Sequence, residues 1–439
     1  MAASGWAPEQ RLQLVEAVGA AGCWGDVDIP AASVEVEQTE ETEWHAVFFL
    51  TAPAGLQPPP MHAKLVVNVP SWQGAALSNK AIASRHVADL GLAPSVLADF
   101  EAVIGSDSRR VHVCAWLDGG QLQPAELEDS AVLAELGALY GRLHHASAAG
   151  TGTGTAWFET TAAGLRAEGA VASDDPGDWA SCSWVLTWLM SLVPEANRTA
   201  LASQGVDWDF LASEIAGLRT SALLPETAVG TVHGDSHMGN LIRDSDGKLK
   251  LIDFDLTAPG PAGSEFGFVV LMLFRCGFAP DMVLSRELQH AFAAGYLGVS
   301  APLGVTTEAD TESLLLTMHL WGYFGMLKMG LLCAVLMENA GHEQKRQVMK
   351  LRGPQLLSKD FLEVAKECMA VRNPQHAYSP RPPSPHELER TERSVACLSI
   401  GLFLAGECVH SCYHASGSSI RIGPDKRTVD WCYVLNRQH

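Results

Sequence analysis

Three side chains that could support phosphoryl transfer lie within a short segment in the middle of the chain. Asp235 follows a His-Gly pair, Asn240 comes five residues later, and Asp253 follows a second apolar stretch. A carboxylate such as Asp235 can orient a hydroxyl and accept its proton. Magnesium prefers oxygen ligands and keeps several waters, so Asn240 and Asp253 together could hold it. These residue types indicate transfer of a phosphoryl group to a hydroxyl.

A β-hairpin is the element that must position these side chains. Leu241 and Ile242 begin one strand, Asp244 to Gly247 form a turn with glycine where positive φ is needed, and residues 248–251 alternate like a half-buried strand. Because the two ends of a hairpin return to one place, residues before and after it should meet. For any one of these residues alone, an ordinary hairpin with polar loop residues is the alternative interpretation.

The complete pattern resembles a known enzyme superfamily. His-Gly-Asp-x-x-x-x-Asn followed by Ile-Asp-x-Asp is similar to the aminoglycoside phosphotransferases and choline kinases, the small-molecule relatives of protein kinases. The resemblance implies an α+β, two-lobed protein-kinase-like fold, with an antiparallel β small lobe and a mainly helical large lobe. It also implies ATP and Mg²⁺ as cofactors. The implied site has catalytic Asp235 and His233, the metal ligands Asn240, Asp253 and Asp255, and His237 on the substrate side.

The basic residues that would contact nucleotide phosphates depart from the family pattern. In a strand predicted over 63–69, Asn68 occupies the basic position of the choline kinase pattern, and Lys64 lies four residues earlier on the same face. In a helix predicted over 79–90, Lys80 stands where the partner Glu is expected. Either lysine could reach the phosphates. The alternative is that both are solvated surface lysines.

Two other parts of the predicted nucleotide site can be placed by the resemblance. The connection over 38–43, between strands predicted at 33–37 and 44–50, has no glycine and carries three carboxylates, which makes it a poor phosphate cradle. A further strand predicted over 111–117 runs into a hinge whose backbone would pair with adenine. The hinge candidates are Cys114, Ala115, Trp116 and Leu117. Trp116 could equally pack between the lobes.

The segment after the hairpin resembles methylthioribose kinases. Asp255 matches a second acid of that family, and the stretch from Gly260 to Gly263 matches its Gly-Pro-x-Gly turn. Glu265 stands where that family has Asp. Its extra methylene could displace a structural hydrogen bond to the catalytic loop.

The apolar run from Leu314 to Met337 is long enough for a membrane span. His319, Lys328 and three glycines interrupt it, so a buried helix of the large lobe is the prediction. Part of this run resembles the choline kinase segment whose aromatic residues bind the ammonium group, which makes Trp321 and Phe324 substrate candidates. A cation–π contact would supply about 0.5–2 kcal/mol. Simple core packing is the alternative.

Composition limits the class of protein. The chain has 439 residues, of which 47% are hydrophobic, and this predicts a globular protein. A net charge of −20 argues against nucleic acid or an anionic membrane as partner and favours a cationic small molecule, although acidity also serves solubility. The scattered cysteines and the absence of a signal-peptide pattern predict a cytoplasmic protein.

These observations predict three parts of the chain and one leading function. Residues 1–117 would form the small nucleotide-binding lobe, 118–371 the large catalytic and substrate lobe, and 372–439 a proline-rich linker and poorly ordered tail of unknown role. The leading function is ATP- and Mg-dependent phosphorylation of a small-molecule hydroxyl. Choline or ethanolamine comes first, methylthioribose second and an aminoglycoside-like amine third. The rival is a pseudokinase that binds nucleotide or a protein without turnover. The oligomeric state stays open.

Overall fold

The structure, a computed structural model, describes most of the chain up to residue 372. The described ranges are 6–41, 45–70, 75–146, 163, 183–218, 224–254, 256–274, 284–300, 307–338 and 343–372. The predicted C-terminal tail and the candidate metal ligand Asp255 lie outside them. For Lys80 only the backbone is described.

A five-stranded antiparallel sheet forms the N-terminal lobe. Its strands are β1 (Glu35–Glu41), β2 (His45–Thr51), β3 (Lys64–Pro70), β4 (Val96–Ile104) and β5 (Asp107–Ala115), in the order β1-β2-β3-β5-β4. Alternate residues of β3, such as Leu65 and Val67, are buried in a core shared with helix α1 (Pro8–Ala20). Lys64 and Asn68 therefore lie on the opposite face of the sheet, since successive side chains of a strand point to opposite sides.

Helices make up most of the C-terminal lobe. After α2 (Ala75–Asp89), which joins β3 to β4, they are α3 (Ser130–Ala146), α4 (Ser183–Leu192), α5 (Glu195–Ala202), α6 (Trp208–Leu218), α7 (Ala262–Val269), α8 (Arg286–Ser300), α9 (Glu308–Leu336), α10 (Glu343–Leu356) and α11 (Lys359–Arg372). Helix α7 continues into a π-helical turn, Val270–Phe274. The second hydrophobic core includes Ala83 and Val87 of α2, so this helix packs with the large lobe. The predicted boundaries at residues 117 and 371 stay predictions.

Helix α9 runs through the middle of the large lobe. Thr307 caps its start, with its hydroxyl accepting from the N–H of Asp310 at 3.2 Å. The helix is long and apolar enough to cross a membrane, yet 83% of its most apolar window is buried against the rest of the protein. The prediction of a buried helix here is confirmed.

The predicted hairpin is present. It consists of β8 (Leu241–Asp244) and β9 (Leu249–Leu251), joined by a turn in which Gly247 has φ +77°. Strand β6 (Gly119–Gln121) pairs with β8, so the segment after the hinge is joined to the hairpin. Strand β7 (Val229–Val232) enters the loop before the hairpin and pairs with β10 (Ala258–Pro261) behind it.

Three details of the small lobe differ from the sequence predictions. Strand β1 continues to Glu41, through most of the predicted connection, because charged residues are tolerated on an edge strand. Strand β4 was not predicted; it is the other edge strand, and its mostly half-buried residues give no clear alternation. Strand β5 ends at Ala115, so Trp116 and Leu117 belong to the connection after it.

We predict that Gly137→Ala destabilises the protein. Gly137 of α3 meets α8 backbone to backbone, and a Cβ there would lie 1.9 Å from the carbonyl oxygen of Phe292. The helices must separate, so unfolding by urea should show a loss of about 1–3 kcal/mol. The matched control is Gly217→Ala in α6, where a Cβ meets nothing within 4 Å; it should gain about 0.5–1 kcal/mol. Equal stabilities of the two variants would contradict the packing argument.

Candidate active site

Backbone geometry shapes the loop between β7 and the hairpin. Gly234 has φ +82°, and a Cβ there would lie 2.3 Å from the carbonyl oxygen of Leu256. Only glycine fits both the conformation and the space. The chain therefore turns sharply after His233 and directs Asp235 away from the strand.

Asn240 is tied directly to Asp235. Its amide nitrogen donates to the backbone carbonyl of Asp235 at 2.9 Å and to Oδ2 of the same residue at 3.1 Å. Because the amide nitrogen makes both of these bonds, the Asn240 Oδ1 atom remains as an acceptor. This orientation suits an oxygen ligand for a cation.

Two histidines flank the Asp235 carboxylate and its backbone. His237 Nε2 lies 3.4 Å from Asp235 Oδ2, and its Nδ1 accepts from the N–H of Gly239 at 3.0 Å. His233 Nδ1 accepts from the N–H of Asp235 at 3.2 Å, and its Nε2 donates to the carbonyl of Ile252 at 2.8 Å. Both patterns fit neutral rings protonated on Nε2.

The same contacts bring Asp253 to the loop. The N–H of Ile252 donates to the carbonyl of Asn240 at 3.0 Å, and the carbonyl of Ile252 accepts from His233. Asp253 follows with φ +62°, the left-handed region, and with an exposed side chain. This conformation costs about 1 kcal/mol or more, and such residues persist where their surroundings fix them. The predicted meeting of both ends of the hairpin is thus present in the structure.

The Asp235 carboxylate is held in its charged form. Burial alone would raise its pKa, but the contact with His237 Nε2 and the positive charge of Lys328 together hold that pKa well below its usual range. Asp235 is therefore ionised at neutral pH. As an anion it can accept a hydrogen bond from a hydroxyl.

Glu265 supports the loop from beneath. Its fully buried carboxylate accepts hydrogen bonds from the N–H of His233, from the N–H of Gly234 at 3.2 Å, and from the hydroxyl of Ser236. Burial alone would raise the pKa of Glu265, but the His144 ring, whose Nε2 lies 3.9 Å from Oε2, and the positive charge of Lys328 outweigh burial and lower that pKa. The extra methylene of Glu265 does not displace the bonds to the loop, contrary to the sequence-based concern.

Lys328 contacts the loop at Gly234, and the sequence did not predict this contact. It lies on α9, is only 3% exposed, and its ammonium donates to the carbonyl of Gly234. In the sequence it was only an interruption of an apolar run. Its partner lies 94 residues away, so no local signal could have identified it.

The predicted nucleotide-side residues lie along one face of the small-lobe sheet and at its end. Lys64 Nζ lies 3.9 Å from the ring centroid of Trp116, and Asn68 pairs in register with His112 of β5. At the hinge, the N–H of Ala115 donates to the carbonyl of Ser95, and the N–H of Trp116 to that of Lys64. Cys114 Sγ is 3.3 Å from His112 Nε2. Leu117 makes no such backbone bond within the described ranges.

Trp321 and Phe324, predicted to bind substrate, are core residues. Each is 1% exposed. The indole nitrogen of Trp321 donates to the carbonyl of Pro225 at 3.0 Å, and a Cβ on Gly263 would lie 2.0 Å from the ring. Neither ring offers an open face to an ammonium group, so the structure favours the alternative of core packing.

Comparison with known proteins identifies the family. The model of a phosphotransferase enzyme family matches residues 47–303, more than half of the chain. The chain belongs to this family. Its fold is similar to that of an ethanolamine kinase from Plasmodium vivax, with a TM-score of 0.57, 14% identity and coverage of 78% of this chain and 86% of that chain. A choline kinase from Cryptosporidium parvum gives a TM-score of 0.52, 14% identity and coverage of 83% and 99%. No curated protein matches the sequence.

These findings confirm three of the sequence predictions. The phosphotransferase belongs to the predicted superfamily, has the two-lobed kinase-like fold, and is an enzyme of the small-molecule kinase class. The roles of individual residues stay predictions. Within the described part of the chain, no group of three or more His, Cys, Asp or Glu side chains is arranged to hold a metal. Asn240 and Asp253 alone would leave most of the coordination to water and phosphate.

We predict that Glu265→Gln makes the phosphotransferase less stable and weakens the pH dependence of its stability. Because the folded-state pKa of Glu265 is lowered, its charge stabilises the fold above its ordinary pKa, and this contribution is lost as pH falls towards the folded-state value. The variant should lose about 2–4 kcal/mol at pH 7 and should lose less than the parent on acidification. Urea unfolding between about pH 7 and pH 4 measures both effects.

The matched control is Glu128→Gln. Glu128 is exposed at the surface. This variant should follow the parent at every pH. A Glu265→Gln variant that also follows the parent would show that the buried carboxylate contributes nothing to the loop.

Proposed function

We propose that the phosphotransferase uses ATP and Mg²⁺ to phosphorylate a hydroxyl of a small molecule. The observation that carries the proposal is the arrangement of Asn240, whose amide nitrogen binds Asp235 at two points and whose oxygen is left for a cation. One side chain thereby relates the acceptor-orienting carboxylate to the metal position. Phosphoryl transfer depends mainly on such positioning.

Asp235 would orient the acceptor hydroxyl. Its Oδ2 contacts Asn240 and His237, while no described contact engages Oδ1. An ionised carboxylate with a low pKa is a weak base, and it would accept the hydroxyl proton as the hydroxyl oxygen bonds to the γ-phosphorus of ATP and the bond from that phosphorus to ADP breaks. His233 would keep the backbone of Asp235 in place, and His237 would lie beside the acceptor.

Asn240 and Asp253 would hold the metal, with Asp255 as a further candidate. Their amide and carboxylate oxygens match the ligands that magnesium prefers. Bound magnesium supplies neutralisation of the charge on the phosphate oxygens. The left-handed backbone at Asp253 and the hydrogen bond from the N–H of Ile252 to Asn240 would fix the position of the Asp253 Cα, from which the carboxylate extends.

The hinge would bind the adenine. Since the N–H groups of Ala115 and Trp116 are already bonded, the backbone of Leu117 is the best candidate for pairing with the base. Cys114 would line the pocket from the end of β5. Lys64 and Lys80 are the candidates for phosphate contact, and Asn68 would face the same cleft.

The acceptor is proposed as a class. The net charge of −20 favours a cationic alcohol, and the neighbours named as ethanolamine and choline kinases make those alcohols the first candidates. Methylthioribose and an aminoglycoside-like amine follow. Trp321 and Phe324 are not proposed to bind it. The cysteines that the structure describes, Cys23, Cys114 and Cys333, are free thiols, which suits the cytoplasm.

A binding-only protein is the second candidate. The observation that favours it is the position of Lys64, whose ammonium lies over the Trp116 ring and 5.2 Å from the Phe49 ring centroid. In this position the Lys64 ammonium is engaged by two aromatic rings. Asn68, on the same face, has no charge to replace it.

We predict that Asp235→Asn abolishes turnover. The full-length protein would be supplied with ATP, magnesium and a panel of choline, ethanolamine, methylthioribose and amine sugars, and ATP consumption would be followed. Loss of the carboxylate should lower kcat by about 10²–10⁴-fold while ATP still binds. Asp246→Asn, in the exposed hairpin turn, is the matched control and should keep the parent rate. An active Asp235→Asn variant would refute the proposed role, and silence of the parent on every acceptor would favour the binding-only candidate.

We predict that Lys64→Met weakens magnesium-dependent ATP binding by about tenfold, since a phosphate contact of this kind is worth about 1.4 kcal/mol. The physical reason is that Lys64 would leave the Trp116 ring when phosphates arrive. Calorimetric titration with ATP and with adenosine separates the effects, because adenosine lacks phosphates. Unchanged ATP affinity, or equal loss for both ligands, would show that Lys64 serves only to pack on the aromatic rings.

A further inference from the structure

The peptide group between Gly234 and Asp235 is held at both ends. Its carbonyl accepts from the ammonium of Lys328, and its N–H donates to His233 Nδ1 at 3.2 Å. Gly234 has no side chain to restrict this peptide, and glycine is the most conformationally free residue. The orientation of this peptide thus depends on these two bonds, while the Asp235 carbonyl is held separately by Asn240 and by the N–H of His237.

Two side chains of opposite charge, one from each of two helices, form hydrogen bonds with the backbone of the loop. Glu265 of α7 accepts from the N–H groups of His233 and Gly234, while Lys328 of α9 donates to the Gly234 carbonyl. Glu265 is fully buried and Lys328 nearly so. Two N–H groups of the turn thereby meet a negative charge, and one carbonyl meets a positive charge.

The two helices keep these charges at a fixed separation. Gly267 of α7 and Gly325 of α9 meet backbone to backbone, and a Cβ on Gly267 would lie 2.2 Å from the carbonyl oxygen of Trp321. Gly267 is two residues from Glu265, and Gly325 is three residues from Lys328. The Phe268 ring also packs against Lys328, with its centroid 4.7 Å from Lys328 Nζ.

We propose that Lys328 is a positioning residue for phosphoryl transfer and that it forms, with Glu265, a charge-balanced clamp on the peptide before Asp235. This inference rests on the proposed function. Lys328 touches neither substrate nor metal in it and acts through the backbone of the loop. Its loss would release the Gly234 carbonyl and loosen the peptide before Asp235.

If Lys328 and Glu265 act together, the effects of substituting them should be coupled. Removing one member leaves the other as a buried charge without its counterpart, which is more harmful than removing both. Lys328→Met and Glu265→Gln should therefore each cause a loss, and the loss in the double variant should be smaller than the sum of the two single losses.

The experiment compares these three variants of the full-length protein with Lys328→Arg and with Tyr323→Phe. Tyr323 is buried on the same helix, and its hydroxyl donates to Glu214 at 2.7 Å, away from the loop. Tyr323→Phe is thus a matched control for loss of a buried hydrogen bond. Hydrogen exchange of peptides covering residues 231–241 reports on the loop without needing turnover, and kcat and KM for ATP report on its use.

Lys328→Met should raise exchange at the His233 and Gly234 amides by about tenfold and lower kcat by about tenfold or more. The KM for ATP should change little, because the clamp does not contact nucleotide. Lys328→Arg should recover part of kcat, and Tyr323→Phe should leave both readouts unchanged. If Lys328→Met does not fold, the double variant, which leaves no unpaired charge, provides the same comparison with the parent.

Two results would overturn the clamp. In the first, Lys328→Met has the same exchange rates and the same kcat as Tyr323→Phe. In the second, the fold-loss of kcat in the double variant equals the product of the fold-losses in the two single variants. The proposed function fails separately, through Asp235→Asn. If that variant stays active while exchange rises in Lys328→Met, the clamp stands and the role of Asp235 does not.

Discussion

The buried carboxylate of Glu265 is tolerable only with hydrogen-bond donors around it, and the loop of residues 233–236 supplies them. An ionised group in a low-dielectric interior is costly unless it is paired and hydrogen-bonded. Here the donors are backbone N–H groups of His233 and Gly234 and the Ser236 hydroxyl. The loop and the large-lobe core therefore form together. A chain that packed α7 without this loop would bury an unsatisfied charge.

Glycine determines how closely the parts of the site approach each other. Gly234 passes within contact of the backbone at Leu256, and Gly267 allows α7 to touch α9. The first contact fixes the turn that presents Asp235, and the second fixes the helices that support the turn. Side chains at these positions would move the supports by more than the tolerance of hydrogen bonds. The geometry of the candidate site thus depends on positions that carry no side chain.

The parts of the site that lie near each other in sequence were predictable, and the parts joined by distant contacts were not. The hairpin follows from a turn with Gly247 and from strand alternation, and its closure brings Asp253 back to Asn240. The burial of Trp321 depends on Pro225 and Gly263, and the contact of Lys328 depends on Gly234. No local period encodes such pairs. Aromatic residues on a long helix consequently predict packing and binding equally well.

The small lobe and the large lobe give different indications about turnover. Lys64 stacks on Trp116, and Asn68 cannot supply a charge, so the face predicted to bind nucleotide offers no free positive charge to phosphate from these two residues. The large lobe, in contrast, holds Asp253 in a left-handed conformation and buries two opposite charges around one glycine. Strain and buried charge each cost free energy, and a protein that only binds nucleotide at the hinge gains nothing from either. The arrangement is explained if Asp235 must be presented to an acceptor with little freedom, which favours catalysis over binding alone.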